Sequence, residues 1–315
     1  MKRIAMAVIL LMNAFLQTAQ SVDDFWESDQ KHVRVLCLSS GFINDLSRPD
    51  CNTQEKRHYT CSAWANFFRA SVGTPKNILF IPDAKVVEEN ALEDIFGKGW
   101  PAEWSELTER VQFLVKDFGL HFIVYGKGDP GAFLNNVDGV FVWGGNTFQL
   151  QDRLLATGLH ESLQKAVLEK GIPYLGGSAG TNVATKTICT TNDMMVVEPF
   201  EFDGMGFLPF SVNVHYCAGA MYYKNEMDEY VEYGGETRDE RLQQFLMANM
   251  EQCPYIVLLP EGRAIERYDN TLKILGAHAL DVATYDAFQK TLVKTAMDAE
   301  ALTQYVFHDN NALNA

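Results

Sequence analysis

The chain has 315 residues, of which 47% are hydrophobic, and it carries a formal net charge of -15 at pH 7. A chain of this length and apolar content can bury a substantial core, which excludes a disordered protein and suits one large α/β domain. The 41 acidic residues outnumber the 26 basic ones, and no basic run offsets them. Such a surface repels phosphate backbones and anionic lipids, so neither nucleic acid nor a membrane is expected as partner.

The chain begins with two basic residues ahead of an apolar run that reaches about Leu16. This run is too short to span a bilayer comfortably, and small and polar residues follow it. The pattern is typical of a secretory signal peptide over residues 1–20, with an uncleaved apolar extension as the alternative. We therefore expect residues 21–315 to form a single secreted or lumenal domain, with a cytoplasmic protein as the alternative. The sequence does not indicate the oligomeric state.

An oxidising compartment would permit disulfides among the six cysteines. Cys51 and Cys61 flank the polar stretch NTQEKRHYT, which we interpret as a loop closed by a disulfide. Cys37 lies in an apolar run and is expected to be a buried thiol. The first pair and His58 give only three candidate metal ligands, without a second CxxC or an HExxH, so neither a metal nor a cofactor is expected.

Strand-like and helix-like stretches alternate through the first half of the chain. Four apolar runs rich in β-branched and aromatic residues predict buried strands over residues 33–38, 77–82, 121–126 and 139–144. Apolar residues at helical spacing in SAWANFFRASV and WSELTERVQFLVKDFG predict crossover helices, and LHESLQKAVLEKG predicts another before the strand IPYLG. This order predicts an α/β fold with three layers, α/β/α, around a mostly parallel central sheet.

Beyond Asn192 the alternation is less regular. LPFSVNVHY and PYIVLLPEG predict two further strands, and TRDERLQQFLMANM predicts a helix between them. GRAIERYDNTLKILG predicts a hairpin that turns at Asp269 and Asn270. No linker or repeat divides the sequence, which favours one domain.

The stretch GGSAG, residues 176–180, places Ser178 in a Gly-x-Ser-x-Gly pattern between a strand and a helix. Small neighbours let the chain turn sharply there and expose the serine oxygen. A catalytic serine also needs a base, a group that orients the base, and donors for the oxyanion. Ala179 would supply one such N–H at the start of the helix. The alternative is a small-residue bend in an ordinary crossover.

A second glycine turn, Gly144-Gly145-Asn146-Thr147, follows a strand at the same carboxyl edge of the predicted sheet. Open parallel sheets bind ligands at this edge. Gly145 would supply the other oxyanion amide, and Asn146 would contact substrate. The turn lacks GxGxxG and GK[ST], so it is neither a dinucleotide nor a P-loop motif. A strand end that merely carries glycines is the alternative.

Among the seven histidines, His215 is the best candidate base because it ends the alternating strand SVNVHY. A single histidine at a strand end is more often structural than catalytic, so a catalytic role needs a partner.

Several blocks occur in one order along the chain: FIPDA, GGNTFQL, GGSAGTNVA, TTNDM, NVHY, GETRDERL and LPEG. With these blocks, over about residues 77–276, the sequence resembles peptidase E. This family comprises the α-aspartyl dipeptidases of serine peptidase family S51, on a scaffold similar to class I glutamine amidotransferases. The resemblance implies a serine exopeptidase that hydrolyses small Asp-X peptides through an acyl-enzyme.

The resemblance makes Ser178 the nucleophile and His215 the base. Two acids compete to orient the histidine, Asp193 in TTNDM and Glu261 in LPEG. We favour Glu261, which ends the apolar strand YIVLL, and retain Asp193 as a necessary active-site acid. Whichever acid orients the imidazole is expected to be substantially buried.

Arg238 in GETRDERL matches the position that the resemblance assigns to the aspartate side chain of the substrate. A guanidinium fork suits a carboxylate better than an ammonium does. The alternative is a residue at a helix start that pairs with Asp239 or Glu240.

Some features depart from the family pattern. Val214 stands where a proline is usual before the base, and Thr181 replaces an alanine after the elbow. The segment between the base and Arg238 is longer than usual, which bears on the peptides that fit. A signal peptide is also unexpected for a family that is mainly cytosolic in bacteria.

Three other interpretations stay open. A cyanophycinase-like peptidase would cleave β-aspartyl linkages, although TTNDM together with GETR argues against it. An α/β-hydrolase esterase would place its histidine late in the chain, which makes His278 the base. A secreted binding protein would keep the scaffold without turnover.

Overall fold

The computed structural model describes residues 32–48, 52–84, 116–125, 128–220, 222–224, 226–232 and 234–309. The expected signal peptide and most of the expected helix WSELTERVQFLVKDFG lie outside the described residues.

The described strands and helices follow one another in chain order. The strands are β1 (Arg34–Leu38), β2 (Lys76–Ile81), β3 (Leu120–Val124), β4 (Gly139–Val142), β5 (Tyr174–Gly177), β6 (Ser211–Tyr216), β7 (Tyr222–Lys224), β8 (Tyr230–Glu232), β9 (Tyr255–Pro260), β10 (Ala264–Tyr268), β11 (Thr271–Leu275), β12 (Leu280–Asp286) and β13 (Thr291–Met297). The helices are α1 (Thr53–Phe68), α2 (Pro130–Leu134), α3 (Thr147–Ala156), α4 (Leu159–Gln164), α5 (Ala179–Ala184), α6 (Arg238–Asn249) and α7 (Ala299–Gln304). Wider π turns extend α4 and α7, and a 3₁₀ turn spans Ile188–Thr190.

The apolar runs of the first half form the parallel sheet that the sequence predicts. Its seven strands have the order β11-β10-β1-β5-β4-β2-β3. Within this order, the five neighbours β1, β5, β4, β2 and β3 pair in parallel. The hairpin of β10 and β11 is antiparallel and is added at the β1 edge. The hairpin turns at Asp269 and Asn270, as expected.

A second sheet carries the strands that follow Asn192. Its order is β13-β12-β9-β6, in which β6 and β9 are parallel and the other pairs are antiparallel. The parallel pairing brings the carboxyl ends of β6 and β9 together.

Side chains alternate between the two faces of β1 and so define the layers. Val35 and Cys37 pack into the core cluster that includes α3, α4 and α5. Leu36 and Leu38 pack into a cluster with Trp64 of α1 on the opposite face. This arrangement confirms the three-layer α/β fold, and the chain from Val33 onward clusters as one compact unit.

The stretch after Cys51 is a helix and not the expected loop. The Asn52 side chain accepts from the Glu55 N–H, and the Glu55 carboxylate accepts from the Asn52 N–H, which is a capping box that starts α1. Cys61 lies buried within this helix. Cys51 lies outside the described residues, so the expected disulfide between Cys51 and Cys61 stays a prediction. Cys37 is a buried thiol, as expected, and burial raises its pKa to about 12.

Two properties of the described residues bear on the class of protein. None of their helices is long and apolar enough to cross a membrane. Within the same residues, no group of three or more His, Cys, Asp or Glu side chains is placed to hold a metal ion.

Candidate active site

Ser178 forms a sharp turn that joins β5 directly to α5. Its backbone has φ 54° and ψ -110°, a strained conformation for a residue with a side chain. A Cβ atom on Gly176 would lie 2.4 Å from the Gly180 carbonyl oxygen, and one on Gly180 would lie 2.3 Å from that of Val142. The Gly-x-Ser-x-Gly pattern is thus a requirement of close backbone contact. The turn displays the serine side chain at the carboxyl end of the sheet.

Three side chains lie in series at this point. The Ser178 Oγ atom is 2.7 Å from Nε2 of His215. The Nδ1 atom of the same ring hydrogen-bonds to Oε1 of Glu261. With Nδ1 donating to the carboxylate, Nε2 is the nitrogen that accepts from the serine hydroxyl.

The backbone explains how these groups meet. His215 lies near the end of β6, and Glu261 follows the last residue of β9. Since β6 and β9 are parallel neighbours, their carboxyl ends place the imidazole and the carboxylate side by side. The two sheets therefore meet where Ser178 of one faces His215 of the other.

Glu261 is the acid that contacts the imidazole. The hydrogen bond from His215 lowers its pKa below the ordinary value, and burial opposes this shift. Its side chain is 54% exposed. The expectation that the orienting acid is substantially buried is therefore wrong, because the residue stands just past the end of its strand rather than within it.

Asp193 lies elsewhere and performs a different task. Its Oδ2 accepts from the backbone N–H of Thr147 at 2.8 Å, at the start of α3. The preceding residue, Asn192, donates from Nδ2 to the carbonyl of Val214 at 2.7 Å. The TTNDM block thus connects β6 to the second glycine turn. Asp193 binds that turn and does not orient the histidine.

The second glycine turn packs against the serine. A Cβ atom on Gly144 would lie 2.9 Å from the Cβ of Ser178. Gly145 has φ 154°, and a Cβ there would lie 2.3 Å from the carbonyl oxygen of Ala84, so this turn too requires glycine. The Ala84 carbonyl accepts from the Asn146 N–H at 3.0 Å. Ala84, the last residue of the FIPDA block, therefore packs against the turn and binds it through its carbonyl.

Two backbone amides near the serine remain available. Ala179 is the first residue of α5, so its N–H has no acceptor within the helix. Among the described residues, the Gly145 N–H makes no backbone hydrogen bond. Both lie in segments adjoining Ser178, which is what an oxyanion hole requires.

Asn146 has structural partners. Its Oδ1 accepts from the Gln149 N–H at 3.1 Å and so caps α3, and its Nδ2 donates to the Met194 carbonyl at 2.8 Å. The Asn146 side chain therefore already holds the loop beside the turn. Its expected contact with substrate stays a prediction.

Arg238 is the first residue of α6. Its Nε donates to Sγ of Cys217 at 3.2 Å. Its Nη1 is buried and has no hydrogen-bond partner among the described residues. The charge of Arg238 also contributes to the lowered pKa of Glu261, after the larger effect of the His215 hydrogen bond. The guanidinium thus lies near Glu261 and keeps one donor without a partner among the described residues.

The acids beside Arg238 are engaged with other groups. Asp239 accepts from the Tyr216 hydroxyl at 2.7 Å and from Nζ of Lys294 at 2.8 Å. Glu240 closes a capping box with Thr237. The alternative in which Arg238 merely pairs with one of these acids is not what the structure shows.

His278 makes no hydrogen bond to the serine among the described residues. It is exposed, between β11 and β12, and the hydrogen bond to the serine hydroxyl comes from His215. The structure therefore gives no support to the chain order of an α/β-hydrolase esterase.

The sequence assigns no role to Ser39, which contacts the backbone of His215. Its Oγ accepts from the His215 N–H at 3.1 Å. Nor did the sequence explain Thr181, whose hydroxyl lies 2.7 Å from the Leu38 carbonyl and 2.9 Å from that of Gly176. Ser39 stands in no motif, and although Thr181 lies in the GGSAGTNVA block, only the folded positions of the strands reveal these contacts.

A hydroxyl, an imidazole and a carboxylate in series, beside backbone amides without a backbone partner among the described residues, are the arrangement of hydrolytic enzymes that attack acyl groups. Comparison with known proteins identifies the family. The sequence model of Peptidase family S51 matches residues 51–275, and the chain belongs to this family.

Named relatives agree with this assignment. The chain is 44% identical to "Peptidase E" of Streptomyces coelicolor over 149 residues, which are 47% of this chain and 58% of that protein. It is 33% identical to "Peptidase E" of Nostoc sp. over 224 residues, 71% of this chain and 81% of the relative. It is 41% identical to the "Probable alpha-aspartyl dipeptidase" of Drosophila melanogaster over 128 residues, 41% of this chain and 48% of that protein. The chain thus spans only about half to three fifths of the Streptomyces and Drosophila relatives.

A solved structure shares the fold. The crystal structure of a peptidase from an acI-B1 Actinobacterium has a TM-score of 0.50 and 14% sequence identity, and the match covers 85% of this chain and 96% of that one. At this identity the likeness concerns the fold alone.

Proposed function

We propose that the protein is a serine exopeptidase that hydrolyses peptides with N-terminal aspartate, Asp-X, through an acyl-enzyme. The observation that carries this proposal is the hydrogen-bonded series from Ser178 through His215 to Glu261. Membership of Peptidase family S51 supports peptide hydrolysis.

In the first step, Ser178 Oγ attacks the carbonyl carbon of the aspartyl residue while its proton passes to Nε2 of His215. The carbonyl oxygen becomes an oxyanion that the Gly145 and Ala179 N–H groups stabilise. Glu261 stabilises the imidazolium that forms and fixes its tautomer. The imidazolium then donates its proton to the departing amine of residue X.

In the second step, water hydrolyses the aspartyl ester on Ser178. His215 takes a proton from the attacking water and returns it to the serine oxygen as the ester bond breaks. Free aspartate leaves, and the enzyme regains its starting protonation. The same imidazole therefore acts as base and as acid in each half of the cycle.

We further propose that Arg238 binds the side-chain carboxylate of the substrate's aspartate. The unpartnered Nη1 donor supports this role, because a buried donor without an acceptor is costly unless a ligand supplies one. Asp239 and Glu240 are engaged elsewhere, which leaves the charge of Arg238 available. The name of the Drosophila relative supports the same specificity.

Release of free amine from Asp-Leu, β-Asp-Leu and Ala-Leu tests the proposal. The wild-type protein should cleave Asp-Leu in preference to the other two, and Ser178→Ala should lose at least about 1,000-fold in kcat. Cleavage of β-Asp-Leu alone would favour a cyanophycinase-like peptidase. A folded protein that cleaves none of the three would be a binding protein on the same scaffold.

We also propose that residues 1–20 direct the protein into the secretory pathway. The basic start and the short apolar run support this. Mass spectrometry of the mature N-terminus tests it, and a protein isolated from its natural source with residues 1–20 intact would contradict it.

A further inference from the structure

We propose that Ser39 is a positioning residue that holds His215 in register with Ser178, an inference that rests on the proposed function. Ser39 directly follows β1 and is 0% exposed. Its Oγ accepts from the backbone N–H of His215 at 3.1 Å and donates to the backbone carbonyl of Leu259 at 3.0 Å. The single hydroxyl thus uses both its acceptor and its donor on backbone atoms of the second sheet.

His215 needs such a contact because it lies at an irregular point of β6. The pairing of β6 with β9 changes register between Val214 and Tyr216. His215 has φ 56°, in the left-handed region that residues other than glycine rarely occupy. A bulged residue leaves the ladder of strand hydrogen bonds, so its N–H must find an acceptor elsewhere. Ser39 is that acceptor.

The end of β1 contacts the segments that carry all three groups of the series. The Leu38 carbonyl accepts from the Ser178 N–H at 3.1 Å. The next residue, Ser39, binds the backbone of β6 and of β9, and β9 leads directly to Glu261. Since β1 pairs with β5 in the seven-stranded sheet, the Ser39 hydroxyl links the two sheets where nucleophile and base meet.

Loss of this hydroxyl would remove the acceptor of the His215 N–H and a donor to the Leu259 C=O, which is costly in a buried site. The bulge would relax to find other partners, and the imidazole would move away from Ser178 Oγ. A misplacement of about 1 Å can cost on the order of 100-fold in rate. Because Ser39 contacts backbone and not substrate, we expect the loss in kcat, with KM within about threefold of wild type.

The test compares Ser39→Ala with a matched control, Ser211→Ala. Ser211 is 1% exposed at the other end of β6, where its hydroxyl lies 3.2 Å from Sγ of Cys253. For Ser39→Ala we expect kcat for Asp-Leu to fall by about 10- to 100-fold, and for Ser211→Ala to stay near wild type. A second variant, Ser39→Cys, keeps the side-chain shape with a weaker donor and acceptor, and its kcat should lie between.

Two further measurements do not depend on the substrate. Hydrogen exchange of the His215 amide, followed by NMR, should be faster in Ser39→Ala than in Ser211→Ala. Labelling of Ser178 by a fluorophosphonate should be slower in Ser39→Ala, because the reagent needs the same serine and imidazole geometry.

The outcomes separate the two proposals. If wild-type protein does not cleave Asp-Leu, the proposed function fails, and labelling and amide exchange decide the role of Ser39. A Ser39→Ala protein with labelling and exchange like wild type overturns the inference, as does an equal loss of kcat in Ser211→Ala. If Ser39→Ala does not fold, Ser39→Cys is judged by the same measurements.

Discussion

The Asp193 carboxylate accepts a hydrogen bond from the Thr147 N–H over 2.8 Å, which fastens the TTNDM loop to the first residue of α3. This residue follows the glycine turn that carries the Gly145 amide. A carboxylate also interacts favourably with the positive end of a helix dipole. Asp193 therefore acts on the second glycine turn, while Glu261 acts on the imidazole.

We predict that Asp193→Asn keeps most of the activity, because an amide oxygen can accept the same hydrogen bond. Asp193→Ala should lower the free energy of unfolding by about 1 kcal/mol, the order of one lost hydrogen bond, and should lower kcat through a looser turn. Urea denaturation and kcat for Asp-Leu measure the two effects. If Asp193→Asn is as inactive as a Glu261 variant, Asp193 takes part in the chemistry and the assignment is wrong.

Glu261→Gln should lower kcat by about 100- to 10,000-fold with little change in KM. The amide can no longer stabilise the imidazolium, and it can present an N–H to Nδ1 that selects the wrong tautomer. Steady-state kinetics on Asp-Leu measure this loss. Glu169→Gln, an exposed glutamate after α4, is the matched control and should behave like wild type. A Glu261→Gln enzyme within about tenfold of wild type would show that another group orients the histidine.

His215→Ala should abolish turnover, whereas His278→Ala should leave it unchanged. The 2.7 Å contact from Nε2 to the serine hydroxyl belongs to His215, and His278 is an exposed residue past β11. Labelling with a fluorophosphonate should fail in the first variant and proceed in the second. The reverse result would identify an α/β-hydrolase esterase.

Arg238→Ala should raise KM for Asp-Leu by about 10- to 100-fold, since a charge-assisted pair with the substrate carboxylate is lost. The use of Asn-Leu, which has no side-chain charge, should change little. Arg241→Ala is the control on the same helix, because Arg241 is exposed and 3.7 Å from Glu236. Equal selectivity for Asp-Leu over Asn-Leu with and without Arg238 would exclude its role in specificity.

Much of the fold could be predicted from patterns within short segments. The parallel strands of the first sheet are apolar runs with glycine or proline at their ends, and the hairpin after Gly262 has a turn at Asp269 and Asn270. The elbow at Ser178 could be predicted because Gly176 and Gly180 are required there: a Cβ atom on either would lie 2.4 or 2.3 Å from a carbonyl oxygen. In such cases the residue types themselves indicate the local backbone conformation.

Other features depend on contacts that no short segment encodes. α1 begins with the capping box of Asn52 and Glu55, but its polar first turns resemble a loop. The hairpin of β12 and β13 gave no signal, because β13 is largely exposed and Lys290, not glycine, takes the left-handed position before it. The sequence could not decide whether Asp193 or Glu261 orients the histidine, because both lie in blocks close to the same site. Only the pairing of the strands decides which acid reaches the imidazole.

A buried acid beside the second glycine turn makes stability depend on pH. Asp83 follows β2, is 7% exposed, and has an Oδ2 atom without a hydrogen-bond partner among the described residues. Burial raises its pKa from the ordinary value of 3.8 to about 6, although the charge of Arg153 opposes the shift. The folded protein thus binds this proton more tightly than the unfolded chain does. The resulting stabilisation is complete below about pH 3.8 and is lost as the pH rises through about 6.

Asp83→Asn should remove this dependence, because the amide is neutral at every pH. At pH 8 the variant should be more stable than wild type by up to about 3 kcal/mol, since each pKa unit corresponds to about 1.4 kcal/mol. At pH 4 the two proteins should differ little, because Asp83 is then protonated in the folded wild type. Urea denaturation at the two pH values measures both differences, with exposed Asp281→Asn as control. An Asp83→Asn protein that is less stable than wild type at pH 8 would mean that the ionised carboxylate is stabilised by a partner, and the raised pKa would then be wrong.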